Sequence, residues 1–506
     1  MYVPCSSRLM LTLSRGSYAI AGVVVVLLMA FAGRYGFHRD ELYFIEGGHH
    51  PAWAQPDNPM LVPLLAAGWH DVTGGSLVLF RILPALAAAA TVLIAAATSQ
   101  TIGGSPLQQT LTAAVMASSS ILLATGHLFS TTTFDLALTS ATILLLLRAL
   151  KRPEAIGQWI WTGVVAGMAL EVKVLPGLVL FSCLVGIVVL GPRAVLRRSG
   201  PWLAMIIASV LAAPNLIWQA RNGWPMMDIA ANIAAGGSTS SSDRVLVVPM
   251  HLLLAGPLGA VVLVVGLVAP FRITTLRAYR WVPVAYLVML ILVVATGGKT
   301  YYLAGFFAVV FALGVGPLVA LISRIRGGAV IAGAVAVVLI TPTVFFALPV
   351  APAGSRIFQI AVGVNPDQAE TVGWDDLVAQ VERTSAAVDR ATSVVLARNY
   401  GEAGALSRAR RQDRGAVPPV FSGHSGYGRW GSPPDSATDA VVVGQFSAAE
   451  LDRWFAGCLE AGRYSSAPGV DNEENGAPIR ICRNRLQRFN PGLRSGLRWS
   501  CSAKQI

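Results

Sequence analysis

Long runs of apolar residues, separated by short polar segments, dominate the first 350 residues of the chain. A helix needs about 20 mostly apolar residues to cross the hydrocarbon core of a bilayer. The first run, residues 16–33, contains no charged residue. The runs predict an α-helical polytopic membrane protein with about eleven spans and an upper limit of about thirteen. The other runs cover residues 78–98, 109–126, 132–150, 158–170, 174–191, 202–218, 247–270, 282–296, 301–322 and 328–349.

The first apolar run has a second interpretation. Arg8 and Arg15 precede it, and residues 30–32 read Ala-Phe-Ala, which resembles the cleavage site of a secretory signal peptide. The run is longer than the usual signal-peptide core of about 7 to 15 residues, and further spans follow. We therefore favour an uncleaved first helix, and the later topology is the same in both cases.

The pattern changes after the segment PVAPAGS at residues 349–355. Charged residues return, and the apolar runs become short. The chain thus divides into a transmembrane domain, residues 1–350, and a small soluble α/β domain, residues 351–506. In the second domain we predict helices over 375–388 and 447–458 and strands over 393–397, 440–443 and 479–482. The last residues, from 483 onward, are basic and lack a core pattern, which is typical of a loosely ordered tail.

The net charge of +12 is explained by membrane topology. With a cytoplasmic N-terminus, the inner loops before residue 350 hold thirteen Lys and Arg residues and the outer loops hold six, as the positive-inside rule requires. An odd number of spans then places the C-terminal domain outside the cytoplasm of a multi-pass plasma-membrane protein. Nucleic-acid binding loses its main support, so we predict membrane lipids as partners and no nucleic acid.

The unusual polar residues of the membrane part are not scattered along the chain. They collect in or beside the outer loops. Such groups are costly near a membrane and are kept where they line a site, so the pattern predicts one wet active site on the outer face. The set comprises Asp40, Glu41, His49, His50, Asp57, His70, His127, Asp135, Glu171, Lys173, Arg221 and Lys299.

The first outer loop, residues 34–77, is longer than a simple connection needs, and loops of that length are usually functional. Its stretch PMLVPLLAAGWHDV is amphipathic, and Trp53 and Trp69 are residues that favour a membrane interface. We predict that this stretch lies in the interface plane and guides a lipid substrate. The alternative is that it only covers the helix bundle.

Several short motifs carry a family resemblance when they are taken together and in order. They resemble the polyprenyl-phosphate-sugar-dependent glycosyltransferases of the GT-C superfamily, in particular the ArnT-like and protein-mannosyltransferase-like group. The resemblance covers nearly the whole chain, although each motif alone is weak. The motifs are Asp40-Glu41 after the first helix, Asp57-Asn58-Pro59, Arg81, LEVK at 170–173, Pro214-Asn215 with WQARNGWPM at 218–226, GKTYYL at 298–303, NYGEAGAL at 399–406 and SGH at 422–424.

The resemblance implies transfer of a sugar from a polyprenyl phosphate to a hydroxyl group, with inversion at the anomeric carbon. A hydroxyl is a poor nucleophile at neutral pH, so a carboxylate must take its proton during attack. By resemblance Asp40 is that base, and Glu41 orients the acceptor or supports Asp40. Both residues also fit the first turn of a helix, where acidic side chains are stabilising. Capping and catalysis are compatible.

The leaving phosphate needs cationic or N–H donors. We assign this role first to Lys173, Lys299 and Arg81, and then to Arg221 and Tyr301. All of these except Arg221 also have a plainer interpretation. Arg81 and the lysines fit ordinary charges at helix ends, and Tyr301 fits an interfacial aromatic belt.

The chain departs from the family pattern in one place. ArnT-like enzymes carry a Glu-Lys pair before the prolines of the first loop, where the lysine binds phosphate, whereas this chain has Asp57-Asn58. Asn58 at the substrate-binding position supplies no charge. Asp57 retains a carboxylate, which in ArnT-like enzymes takes part in metal binding. No residue spacing matches a recognised metal motif, so we predict no certain cofactor and leave a divalent metal at Asp57 open.

Two functions of other classes remain as alternatives: a transporter or flippase of lipid-linked sugars, and a scaffold for cell-envelope enzymes. The charges lie at loop edges and no internal repeat is found, which is unlike most transporters. Among partners, the acceptor stays open between a glycan, a lipid and a protein. A Cys458–Cys482 disulfide also stays open, in a compartment that would allow it.

Overall fold

The structure is a computed structural model and describes residues 12–236, 243–412 and 417–487. The predicted tail from residue 488 onward therefore lies outside the described residues, whereas its first residues, 483–485, form the end of a strand, contrary to the prediction. Up to residue 347 the described chain is helical. Its helices are α1 (Arg15–Phe31), α2 (Arg39–His49), α3 (Leu61–Val72), α4 (Leu77–Phe80), α5 (Ile82–Thr101), α6 (Pro106–Ala117), α7 (Ser120–Gly126), α8 (Thr131–Lys151), α9 (Ile156–Val172), α10 (Leu175–Leu190), α11 (Ser199–Arg221), α12 (Pro225–Ala234), α13 (Val247–Arg272), α14 (Trp281–Thr296), α15 (Phe307–Ile322) and α16 (Gly328–Ala347).

Each predicted apolar run coincides with one of these helices or with a close pair of them. Within the described residues, 6 helices are long and apolar enough to cross a membrane, or 7 if the bent pair α6 and α7 is one span. The shorter apolar helices α1, α10 and α14 lie at three of the other predicted positions, and α9 lies at the fourth. The helical membrane architecture is confirmed, and a number of crossings above seven stays a prediction.

Two helices are broken at the same level of the bundle. The pair α6 and α7 bends by 63°, and Gly256 interrupts α13 with a φ of 75°. A Cβ atom on Gly256 would lie 3.0 Å from the carbonyl oxygen of Ser118, which sits in the bend. Glycine is therefore favoured at position 256 for two reasons: it adopts a positive φ without strain, and it lets the backbone of α13 approach Ser118 closely. The bend directs α7 towards Phe129, a residue that contacts the candidate site.

The first outer loop is largely helical, because α2 and α3 lie between α1 and α4. On α3, Leu64, Leu65 and Val72 are exposed, as is Trp53 in the preceding segment. An exposed apolar stripe of this kind suits a membrane interface. The proposed interfacial location of this stretch stays a prediction.

The C-terminal part contains a five-stranded sheet with helices α17 (Arg356–Val364), α18 (Trp374–Ser385), α19 (Tyr400–Arg411) and α20 (Ala448–Leu451). The strands are β1 (Ser393–Ala397), β2 (Val420–Ser422), β3 (Asp439–Val443), β4 (Phe455–Arg463) and β5 (Pro478–Arg485). Their order in the sheet is β2-β1-β3-β5-β4. Strands β2, β1 and β3 are parallel, whereas β5 and β4 are antiparallel to their neighbours.

The predicted strands correspond to β1, β3 and β5, but the helix predicted over 447–458 is wrong after Leu451. The chain there enters β4, whose residues are mostly exposed because it is an edge strand. An exposed edge lacks the apolar alternation that identifies a strand. Cys458 on β4 lies opposite Cys482 on β5, and a disulfide joins them.

The C-terminal domain packs on the loop helix α2 through α19. Gly401 and Gly404 face α2, and Cβ atoms there would come within 3.1 Å of the Arg39 Cβ and 2.8 Å of the Leu42 Cβ. Side chains at these positions would push the helices apart. The small residues of the NYGEAGAL motif therefore permit close contact between the two domains.

Candidate active site at the start of the first loop helix

The first turn of α2, residues Arg39, Asp40 and Glu41, organises the candidate site. His38 caps the helix: its Nδ1 accepts a hydrogen bond from the Asp40 backbone N–H at 3.1 Å. In return the His38 backbone N–H donates to Glu41 Oε2 at 2.8 Å. Successive helical residues point about 100° apart. The three charged side chains therefore reach three different parts of the protein.

Glu41 points into the bundle and forms a buried ion pair with Arg81. The Arg81 Nε and Nη2 groups donate to the two Glu41 oxygens at 3.0 and 2.8 Å. The remaining Arg81 donors face the carbonyl oxygens of Ala32 and Gly36 and the Nε2 of His127. A guanidinium has five N–H donors, and this arrangement engages all of them.

The same pair is closed to solvent, with side chains 1% exposed for Arg81 and 0% for Glu41. Glu41 Oε1 accepts a further hydrogen bond from the Phe129 backbone N–H at 2.9 Å. The geometry therefore favours a structural role for both residues over the catalytic role predicted for Glu41 and the phosphate-binding role predicted for Arg81. The pair ties α2 to the start of α5 and to the segment between α7 and α8.

Asp40 is partly exposed and contacts the C-terminal domain. Its Oδ1 accepts a hydrogen bond from the Tyr400 hydroxyl at 2.8 Å, across 360 residues of sequence. Tyr400 is the first residue of α19, and Asn399 caps that helix. A carboxylate that is held on one oxygen and open to solvent can accept a proton on the other.

Asp57 and Asn58 lie beside this carboxylate. Asp57 Oδ1 accepts hydrogen bonds from the Tyr43 hydroxyl at 2.8 Å and from Asn58 Nδ2 at 2.9 Å. Burial, with a smaller contribution from the charge of Asp40, raises the pKa of Asp57 to about 6. Asn58 Oδ1 is buried and has no hydrogen-bond partner among the described residues. Part of this polar wall is thus unsatisfied by protein.

Lys173, Lys299 and Tyr301 form a second group, at the ends of membrane helices. Lys173 ends α9, and Lys299 precedes the 3₁₀ turn Thr300–Phe306. Their ammonium groups lie 4.7 and 5.9 Å from the centre of the Tyr301 ring, and Lys173 Nζ donates to Thr132 Oγ1 at 3.1 Å. Tyr301 also lies in the neighbourhood of Asp40, so this cationic group and the carboxylate belong to the same region of the molecule.

Arg221 lies apart from both groups. It is exposed at the end of α11, and its guanidinium is 6.0 Å from the centre of the Trp53 ring. The neighbouring Gln219 donates to the Gln55 carbonyl oxygen at 3.1 Å and so ties α11 to the first outer loop. This position suits the rim of a site better than its centre.

Arg39 points to the C-terminal domain, where it pairs with Glu370, Glu473 and Glu474. The three carboxylates lie within 4.8 Å of one another, close enough to hold a cation. Burial raises the pKa of Glu370 to about 8, although Arg39 opposes this shift. Arg39 already supplies a positive charge to the cluster. Asp57 is not a member of this cluster, and a divalent metal at Asp57 stays open.

Two solved structures share this arrangement of helices and C-terminal domain. ArnT from Cupriavidus metallidurans in the apo state matches with a TM-score of 0.57 and 13% identity, covering 92% of this chain and 97% of that chain. The same enzyme bound to undecaprenyl phosphate matches with a TM-score of 0.56, 14% identity and the same coverage of 92% and 97%. This chain has the GT-C fold. The resemblance inferred from the motifs is confirmed.

The GT-C fold is also supported by a more distant structure and by a family model. The Archaeoglobus fulgidus oligosaccharyltransferase, in complex with Zn and sulfate, has a TM-score of 0.51 and 12% identity, over 84% of this chain and 68% of that chain. Residues 57–218 match the dolichyl-phosphate-mannose-protein mannosyltransferase family. No protein of curated function matches the sequence. The family match covers part of the first outer loop and the helices up to α11, which include Lys173.

Sequence reasoning missed Tyr400 as a site residue, although its motif was noted. The Asn399 and Glu402 side chains form a reciprocal cap with the backbone, and small residues follow at 401 and 404. Those signals identify a helix that packs closely on another. They do not identify the partner helix, because α2 lies about 360 residues earlier in the chain.

Proposed function

We propose that this protein is a membrane glycosyltransferase that moves a sugar from a polyprenyl-phosphate donor to a hydroxyl acceptor on the outer face of the membrane. The observation that carries the proposal is the partly exposed Asp40 carboxylate, which lies in the neighbourhood of Tyr301, the residue against which the Lys173 and Lys299 ammonium groups pack. A base beside a cationic group is what attack by a hydroxyl on a phosphate-linked sugar needs. The ArnT structure with undecaprenyl phosphate supports a lipid-phosphate donor.

In the proposed reaction, Asp40 takes the proton of the acceptor hydroxyl as its oxygen forms a bond to the anomeric carbon. The bond from that carbon to the phosphate oxygen breaks, and the lipid phosphate leaves with the electron pair. Attack from the opposite side of the ring inverts the anomeric configuration. Lys173 and Lys299 stabilise the negative charge that grows on the phosphate, and Tyr301 lies between them as a further donor.

Asp57, Asn58 and Arg221 take secondary roles in this proposal. Asp57 and Tyr43 form one hydrogen-bonded wall beside Asp40, and the buried Asn58 Oδ1 offers an acceptor atom to a sugar hydroxyl. Arg221, at the rim, attracts the anionic donor. Glu41 and Arg81 act indirectly, because they hold the turn that carries Asp40.

The test is Asp40→Asn in membranes supplied with a radiolabelled polyprenyl-phosphate sugar. Loss of a positioned base lowers the rate by about 10²- to 10⁴-fold, whereas amounts of folded protein should be unchanged. Asp71→Asn is the matched control, because Asp71 lies in the same loop, is 60% exposed and pairs only with histidines among the described residues. Unchanged transfer by the Asp40 variant would remove the assigned base. If the protein moves the lipid-linked sugar across the bilayer of vesicles but transfers no sugar, the alternative function as a transporter would be favoured.

A further inference from the structure

We infer that the C-terminal domain supplies a positioning residue to the membrane active site: the Tyr400 hydroxyl holds the Asp40 carboxylate by Oδ1 and leaves Oδ2 to receive the acceptor proton. This inference rests on the proposed function of Asp40. It gives the soluble domain a direct part in the reaction.

The contact itself is short and directional. The Tyr400 hydroxyl lies 2.8 Å from Asp40 Oδ1, within the normal range for a hydrogen bond between two oxygens. The terminal torsion of an aspartate side chain is broad, so a partly exposed carboxylate rotates unless something holds it. A hydrogen bond to one oxygen fixes the direction of the other. Small errors in the placement of a reacting group cost large factors in rate.

The tyrosine ring is itself held on three sides. The rings of Tyr43 and His424 lie 4.9 and 5.0 Å from it, centre to centre. The Arg39 guanidinium lies over its face at 5.3 Å. The ring therefore has little freedom, and its hydroxyl is a fixed reference point for Asp40.

The helix that carries Tyr400 is docked on α2 at both ends. Near the start of α19, Gly401 allows close packing against Arg39. At its end, Arg411 Nε and Nη2 donate to the two oxygens of Glu46 at 3.1 and 2.6 Å. Two-point docking of this kind sets the distance between the tyrosine and the carboxylate.

Tyr400 remains a donor over the physiological pH range. Burial raises the pKa of Tyr400 well above its ordinary value, and the negative charge of Asp40 raises it further. Among the charged groups near its ring, Arg39 lowers that pKa and Glu473 raises it; the Tyr43 hydroxyl is a neutral neighbour. His424 accepts from the Tyr400 backbone N–H at 3.4 Å, and burial lowers the pKa of His424 to about 4. The phenol thus keeps its proton, while an ionised carboxylate can only accept.

The experiment compares Tyr400→Phe with Tyr427→Phe in the full-length protein. Both changes remove one tyrosine hydroxyl from the same domain, but the Tyr427 hydroxyl donates to Ser407 and does not touch Asp40. Phenylalanine keeps the ring contacts. We expect Tyr400→Phe to lower kcat by about tenfold to a hundredfold, as for a lost hydrogen bond to a charged group, with the donor KM within about twofold of the wild-type value. Tyr427→Phe should leave kcat unchanged.

A double variant shows whether Tyr400 acts through Asp40. Adding Tyr400→Phe to Asp40→Asn should cause no further loss, because the carboxylate is already gone. If Asp40→Asn has no measurable transfer, Asp40→Glu serves as the background, since the longer side chain moves its oxygens away from the tyrosine. A Tyr400→Phe enzyme as active as the Tyr427→Phe control overturns the inference, and so does a full additional loss in the double variant. Full activity of Asp40→Asn alone instead overturns the proposed function.

Discussion

The two faces of α2 differ sharply, although they begin with adjacent carboxylates. On the bundle face, Glu41 is sealed against Arg81 and accepts four hydrogen bonds from protein. On the face towards the C-terminal domain, Asp40 is partly exposed, and among the described residues its carboxylate accepts one hydrogen bond, from Tyr400. Glu41, whose carboxylate oxygens are all engaged in hydrogen bonds, anchors the helix. Asp40, which has an open oxygen, can accept a proton.

This difference teaches that an acidic pair next to a membrane helix is not one functional unit. A buried ion pair whose donors are all engaged has no capacity to bind a substrate. A carboxylate with an open oxygen can take a proton. Three predictions test, in turn, the sealed face of α2, the cationic group on its open side and the domain that docks on it.

The largest effect is expected when the sealed face is broken. Arg81→Met leaves the Glu41 carboxylate buried without its partner, which costs about 3–5 kcal/mol of folding free energy. That is a large part of a typical total of about 5–15 kcal/mol. We expect most of the protein to be lost from the folded fraction, measured by size-exclusion chromatography in detergent. Asp40→Asn should leave the same profile unchanged.

Replacing both members of the pair is the matched control. The double variant Glu41→Met with Arg81→Met removes the buried charge entirely, so it should recover a substantial part of the folded fraction. A stable Arg81→Met protein that binds donor poorly would show instead that Arg81 contacts the phosphate, and the contrast between the two faces would fail.

A smaller effect is expected at the cationic group on the open side. Lys173→Met and Lys299→Met each keep an unbranched chain but remove a charge from the predicted phosphate site. We expect kcat/KM for the donor to fall by roughly tenfold to a hundredfold for each, the cost of a lost charge-assisted contact, without loss of folded protein.

Lys151→Met is the control for the lysines. Lys151 ends α8, whose first turn contains the Thr132 that binds Lys173. About 20 helical residues, or roughly 30 Å, separate the two ends. A similar loss of kcat/KM in the control would mean that the assay reports general membrane charge rather than phosphate binding.

The smallest effect is expected in the pH dependence of stability, measured as Tm, and it comes from the C-terminal domain that docks on α2. Burial raises the pKa of Glu402 to about 8, from an ordinary value of 4.5. Between these values the folded state keeps a proton that the unfolded chain has lost, so the free energy of unfolding falls as pH rises, by up to about 1.4 kcal/mol per unit. We expect a lower Tm at pH 8.5 than at pH 5.5.

Glu402→Gln isolates this contribution, because an amide oxygen can still accept from the backbone N–H groups of Arg398 and Asn399 but does not titrate. The slope of Tm against pH should become shallower in the variant. The slope should not vanish, since the raised pKa of Glu370 also makes stability fall as pH rises. An unchanged slope would show that Glu402 is ionised in the folded protein.

The membrane architecture was predictable because apolar runs of about 20 residues match the thickness of a bilayer and exceed the length of a typical buried core helix. Strand β1 was predictable for a similar reason, since it is a short buried apolar run bounded by polar segments. The edge strand β4 was not, because its exposed residues show no alternation. The helices of the first outer loop were only partly visible, as one amphipathic stretch.

The residues of the site could be predicted from the sequence, but the role of each residue could not. Asp40, Glu41 and Arg81 were all named from the sequence, and the structure brings them into one neighbourhood. Which carboxylate pairs with Arg81 depends on the rotation of α2, which is set by contacts with α5 and α19. Those contacts join residues 40 and 360 positions apart, and no local pattern encodes them.

The contact between Asp40 and Tyr400 also sets an order of events during synthesis. The two residues are separated by 360 positions, which at 5–20 residues per second corresponds to roughly 20 to 70 s of translation. During that interval the first loop is already made, but the helix that holds its carboxylate does not yet exist. Under the proposed function, sugar transfer would therefore reach its full rate only after the C-terminal domain has folded against α2, and a chain that stops before residue 400 would lack the hydroxyl that positions Asp40.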